Sequence, residues 1–93
     1  MINNKLKKIR KKLDSLDYRL LTLIKIRTEL VKEVIKTKSY KKEIVDKKRI
    51  TFILRKIKKS SIKRKIDPII TNKIWKNMIW SYIDFERKNF NKK

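Results

Sequence analysis

The sequence predicts an all-α fold of three helices per chain, one long, one short and one of medium length. Apolar residues at Leu6, Ile9, Leu13, Leu16, Leu20, Leu23, Leu30 and Val34 recur three and four apart, the heptad spacing of a packed helix, and Arg27 occupies one position of the same seam. Among the 93 residues there is no glycine and a single proline, so little in the chain breaks a helix. No strand pattern and no internal repeat compete with this reading.

Helix one is expected from about Asn4 to Lys38, where the heptad pattern persists without interruption. Thirty-five residues at about 1.5 Å each span roughly 50 Å, whereas a compact domain of this length has a radius of gyration of about 12 Å. One chain is too small to cover such a helix, so a second copy packed along the seam in a symmetric homodimer is expected. A break follows at Ser39 to Glu43. Asp46 then reads as the cap of a short helix two, about 46–58, bearing Ile50, Ile53, Leu54 and Ile57 on one face. The polar stretch Lys58 to Lys65 reads as a connection. Asp67 and Pro68 read as cap and first residue of helix three, about 68–90, with an apolar stripe of Ile70, Ile74, Trp75, Met78, Ile79, Tyr82 and Ile83. A chain of this length holds one domain, 1–93, with a thin core.

The formal net charge of +21 ordinarily points to nucleic acid or an acidic membrane surface. That signal is discounted here. Alanine, glycine, glutamine, histidine and cysteine are absent while lysine, isoleucine and asparagine abound, the residue usage an AT-rich genome produces, and a deliberately reduced alphabet would look the same. Without cysteine or histidine the chain lacks thiol chemistry, thiolate metal sites and the commonest general base, which argues against most hydrolytic and redox activities and against a metal or other cofactor. No apolar run approaches the roughly 20 residues of a membrane span, and the amino terminus carries no signal-peptide pattern, so a cytoplasmic protein is expected.

A cation in an apolar seam calls for an anion, because an unpaired buried guanidinium costs several kcal/mol, about the whole stability of a small domain. That anion can be a ligand. Only seven of the 30 basic residues are arginine, Arg10, Arg19, Arg27, Arg49, Arg55, Arg64 and Arg87, and where lysine is so common an arginine marks a use for its bidentate fork. Eleven residues separate Arg27 from Lys38, about 20° of helical rotation, so both project from one face. Arg10 lies about 100° around the helix from Arg27 and reaches such a site only from the partner of an antiparallel dimer.

These residues resemble the all-helical chorismate mutases. The resemblance covers nearly the whole chain: Ile9-Arg10, Leu16-Asp17, Leu20-Leu21 through Arg27, Lys38, Val45-Asp46 with Arg49 three later, and Ile74-Trp75 through Glu86. It implies an intertwined homodimer with two sites between subunits, and the isomerisation of chorismate to prephenate in phenylalanine and tyrosine biosynthesis. Within that resemblance Arg10 corresponds to the arginine donated across the dimer, Arg27 to the one gripping a substrate carboxylate, and Lys38 to the lysine beside the ether oxygen. Asp46 corresponds to a residue whose backbone lies near the substrate hydroxyl, and Arg49 to the arginine at the start of helix two. In helix three two registers are open: one places Tyr82 at a small polar position and Glu86 as the second ether-oxygen partner, the other places Ser81 and Phe85 there. The first is preferred because Trp75, Met78, Ile79, Tyr82, Ile83 and Glu86 share a face. Ile50 stands where the family usually carries a glutamate that holds the ring hydroxyl. A hydrogen bond to a charged group is worth about 1.5 to 3 kcal/mol, so this exchange implies a loss of about one to two decades in efficiency.

The implied reaction suits this inventory, being a unimolecular pericyclic step that needs neither nucleophile, metal nor general base. Arg10, Arg27 and Arg49 clamp carboxylates in the reactive conformer while Lys38 and Glu86 stabilise charge growing on the ether oxygen. Glutamate donates only when protonated, so activity is expected to rise as pH falls; burial raises the pKa of such a carboxyl and nearby cations lower it. Blander readings stand beside these: a single lysine is by default a solvated surface group, Asp46 serves equally as a plain cap, and Glu86 can pair with a lysine. The rival function is a basic helical dimer that binds nucleic acid through Lys7, Lys8, Lys11, Lys12, Lys41, Lys42, Lys47, Lys48 and the Lys56 to Lys65 region; it explains the charge but not the seam arginine, and nucleic-acid binding is otherwise expected to be adventitious. A third reading keeps the fold but changes the task, to an isochorismate lyase or a degenerate domain that binds chorismate-like ligands.

Overall fold

A computed structural model describes residues 2–91 and is helical throughout, with no strand among the described residues. Helix α1 spans Ile2–Thr37, α2 Lys47–Lys63 and α3 Pro68–Asn89, and a short 3-10 turn, Lys41–Ile44, lies between the first two. The chain divides into two compact units, one reaching Val31 and the other beginning at Lys32. Among the described residues no helix is long and apolar enough to cross a membrane.

In the first unit α1 is a single uninterrupted helix, as its heptads predict, and the helix runs on to Thr37 for about 54 Å in all. Its seam leucines and isoleucines are all exposed in the single chain, with Leu13, Leu16, Leu20 and Leu23 about half accessible or more. Arg27 is half-buried rather than enclosed, because its apolar seam neighbours are not covered.

The second unit holds the small core. Ile44 of the 3-10 turn packs with Ile79 and Ile83 of α3, and Val45, Ile50, Ile53, Leu54 and Phe90 close around them. Burying three such side chains contributes about 5 to 9 kcal/mol, the scale on which small domains are stable. Asp46 caps α2 by accepting from the Arg49 amide at 3.0 Å, and Asp67 caps α3 by accepting from the Ile69 amide at 2.9 Å, with Pro68 at its first position.

Two expectations are corrected. The stretch Lys58 to Lys65 is not a connection: α2 continues to Lys63, since lysine is a good helix former and only one face of the helix has to be apolar. The helix ends in a Schellman motif, with the Ile66 amide donating to Ser61 O at 2.8 Å and the Lys65 amide to Ile62 O at 3.1 Å. Lys65 takes the left-handed conformation there, at φ 60°, a position glycine usually fills. In α3 the packed face begins with Thr71, while Ile70 and Ile74 are exposed. A polar contact crosses the helix pair at this point. Ser61 Oγ reaches Ile57 O at 2.7 Å and Thr71 Oγ1 reaches Pro68 O at 3.4 Å, and the two hydroxyls share a buried 2.7 Å hydrogen bond. Thr71 thus faces α2, while Ile70 and Ile74 are exposed.

Candidate active site

Lys38 is the first residue beyond α1. It is half-buried, and its Nζ donates to Glu43 O at 2.6 Å. Glu43 in turn ties the segment down, its Oε1 accepting from the amides of Ser39 at 3.0 Å and Tyr40 at 2.7 Å. Sequence reading passed over Glu43. Its position three residues after Tyr40, which precedes the turn and whose free amide a carboxylate there caps, was the available signal.

Lys38 and Asp46 line one recess of about 600 Å³, together with Thr37, Glu43, Val45 and Lys47. Both members of the predicted set therefore belong to one concavity. Ile44, next to Glu43, packs against Ile79 and Ile83, so the turn that holds Lys38 is fixed to α3. Glu86 lies three residues beyond Ile83 on that same face of α3 and is 8% exposed. Tyr82 is half-buried beside it in sequence register, whereas Ser81 is exposed and donates back to Asn77 O at 2.7 Å. Phe85 turns elsewhere and lines a separate pocket of about 350 Å³ with Ile35, Phe90 and Lys32. Trp75 is half-buried packing and Trp80 is exposed.

Ile50 is a core residue, packed against Ile44, Ile79 and Ile83. Arg49 is exposed at the start of α2, its guanidinium 5.5 Å from the centre of the Phe52 ring. Arg10 and Arg27 both lie on α1 in the first unit, Arg10 exposed and Arg27 half-buried.

The described residues thus include a buried carboxyl on α3 and, on a turn docked to the same helix, an ammonium that lines an open recess. It can hold and polarise an anionic ligand. Over residues 9–87, most of its length, the chain matches the family model described as chorismate mutase type II. The chain belongs to the type II chorismate mutase family, and every residue named above as a candidate, from Arg10 to Glu86, falls within the matched span. Comparison with curated proteins and with solved structures finds no match.

Proposed function

We propose that the chain is a chorismate mutase that isomerises chorismate to prephenate, in the cytoplasm and without a cofactor, as a step toward phenylalanine and tyrosine. The observation that carries this reading is the family match over residues 9–87, and it is supported by Lys38 held by Glu43 on a turn packed against α3 and by the burial of Glu86 on that helix. In the reaction the ether C–O bond breaks as a C–C bond forms within one molecule, and negative charge grows on the ether oxygen. Lys38 and protonated Glu86 donate to that oxygen, a contribution specific to the transition state. Arg27 and Arg49 grip the carboxylates, with Arg49 leaving Phe52 to do so, and Asp46 lends its backbone near the ring hydroxyl. Residues 1–93 act as one domain. Two copies intertwine through the α1 seams, and each donates Arg10 to the other's site; the exposed leucines of α1 support this assembly.

Ile50 favours a second reading. Packed into the core in place of the family's glutamate, it contributes nothing to the ring hydroxyl, which suits a degenerate relative that binds a chorismate-like ligand or acts as an isochorismate lyase. The deciding experiment follows chorismate absorbance with purified protein at pH 5 and pH 7.5, beside an Arg27→Ala control. Prephenate formation that disappears in the control supports the mutase; ligand binding without conversion supports the degenerate relative.

A further inference from the structure

The outer face of α2 is built around an exposed aromatic ring. Phe52 is 53% exposed, while Phe85 and Phe90 are both half-buried. Two cations lie over its ring, the Arg49 guanidinium at 5.5 Å and the Lys56 ammonium at 5.9 Å from the centroid. A recess of about 330 Å³ opens beside it, lined by Lys47, Lys48, Thr51, Phe52 and Arg55. Along the helix Lys48, Phe52, Arg55 and Lys59 are spaced i, i+4, i+7 and i+11, one solvent-facing stripe opposite the core residues Ile50, Ile53 and Leu54. Of the 17 residues of α2 eight are Lys or Arg and none is acidic, and the first turn begins Lys47, Lys48, Arg49. Cations there oppose the helix dipole, so this concentration of charge costs stability in the free chain and is relieved by a polyanion.

Lysine-rich residue usage accounts for scattered positive charge. It does not account for a half-exposed phenylalanine set among five cations, which is the arrangement that reads single strands: an aromatic face for a base, with cations for the flanking phosphates. A double helix offers its bases no access to such a ring, and an anionic membrane has no planar group to stack on it. The stripe extends over about 24 Å from Lys47 to Lys63, long enough for several nucleotides. We propose that the outer face of α2, centred on Phe52 with Lys48, Arg55 and Lys56, binds single-stranded nucleic acid, a base displacing a cation from the ring and stacking in its place while the phosphates pair with the cations around it. This face adjoins the candidate active site, since Lys47 and Lys48 also line the recess of Lys38 and Asp46 and Arg49 is shared between them, but the proposal does not rest on the mutase reaction.

Fluorescence anisotropy of the full chain with a labelled oligothymidine of about 12 nucleotides, titrated at several salt concentrations, tests the proposal. Phe52→Ala preserves every charge and, at an exposed position, the fold, which circular dichroism confirms. It is expected to weaken binding about five- to hundredfold with an unchanged salt slope, and Phe52→Trp to restore it. Arg55→Ala with Lys56→Ala is expected to lower the salt slope by about 1.4, the share of two phosphates on a single strand. Linear polyphosphate, which has no base, is expected to bind Phe52→Ala and the parent equally. Undiminished oligothymidine binding by Phe52→Ala overturns the proposal in favour of attraction by charge alone. Equal losses for polyphosphate and oligothymidine overturn it too, and a mononucleotide that binds as tightly as the strand reassigns the site to a small ligand.

Discussion

Lys38 Nζ donates to the Glu43 carbonyl at 2.6 Å, and the carboxylate of the same glutamate accepts the Ser39 and Tyr40 amides. One residue therefore fixes both the backbone of the turn and the ammonium beside the recess. Replacing Lys38 with Met keeps the length of the chain but removes the donor. Its chorismate kcat/KM is expected to fall about 100- to 1000-fold, as for loss of one donor to a developing oxyanion. Urea unfolding is expected to lose only about 1 kcal/mol. Activity within a factor of a few of the parent would remove Lys38 from the site.

Glu86 acts as a donor only in its protonated form, so turnover should increase as pH falls. An amide at the same place donates at every pH. Glu86→Gln is accordingly expected to flatten the ratio of kcat/KM between pH 5 and pH 7.5 to about one, with the larger gain at pH 7.5. A variant that retains the parent's pH profile excludes Glu86 as the group responsible.

Ile50 joins the core cluster of Ile44, Ile79 and Ile83 at the position where the family usually carries glutamate. Ile50→Glu exchanges packing for function. Chorismate kcat/KM is expected to rise about tenfold to hundredfold, the reverse of losing a hydrogen bond to a charged group. The urea midpoint is expected to drop by the equivalent of about 1 to 3 kcal/mol, because a carboxylate replaces an apolar contact. A stability loss without any kinetic gain means that this side chain does not face the substrate.

Lys65 sits at φ 60° in the Schellman turn that ends α2. A side chain costs about 1 to 2 kcal/mol in that conformation, which glycine avoids, although glycine gives part of it back as unfolded-state entropy. Lys65→Gly is expected to stabilise the chain by about 0.5 to 1 kcal/mol and to raise its melting temperature by a few degrees, read by circular dichroism. Destabilisation would show that the lysine side chain makes a contribution larger than its backbone cost.

The leucines of the α1 seam are exposed in one chain, and the proposed dimer would cover them. Sedimentation equilibrium of the parent is expected to give twice the chain mass. Leu16→Asp with Leu23→Asp places two charges on that seam and is expected to yield monomer, to lower helicity, and to abolish turnover through loss of the partner's Arg10. A parent that sediments as a monomer while still converting chorismate contradicts the shared site.

Much of this molecule was legible in residue order. Asp46 and the pair Asp67-Pro68 announced two helix starts because capping is a local bargain between one side chain and the amides two or three residues on. The heptads from Leu6 to Val34 announced one long helix because periodicity is local too. Ile50, Ile53, Leu54 and Ile57 all lie on the packed side of α2, as their spacing required. The family was also within reach, since its charged residues stand at fixed separations along the chain.

What residue order left undecided depends on contacts between distant elements. The extension of α2 to Lys63 is invisible in a run of lysines and serines and becomes clear once Ser61 meets Thr71 at 2.7 Å. The side of α3 that is covered is the one carrying Thr71, Ile79 and Ile83, and Ile70 and Ile74 stay exposed. The burial of Glu86, 8% exposed, and the place of Ile50 in the core follow from α2, α3 and the 3-10 turn packing around Ile44, Ile79 and Ile83. Local hydrogen bonds and periodicity are written one turn at a time and so can be read from sequence, whereas the partition of each helix between core, site and solvent is settled only when apolar surfaces from separate segments find each other.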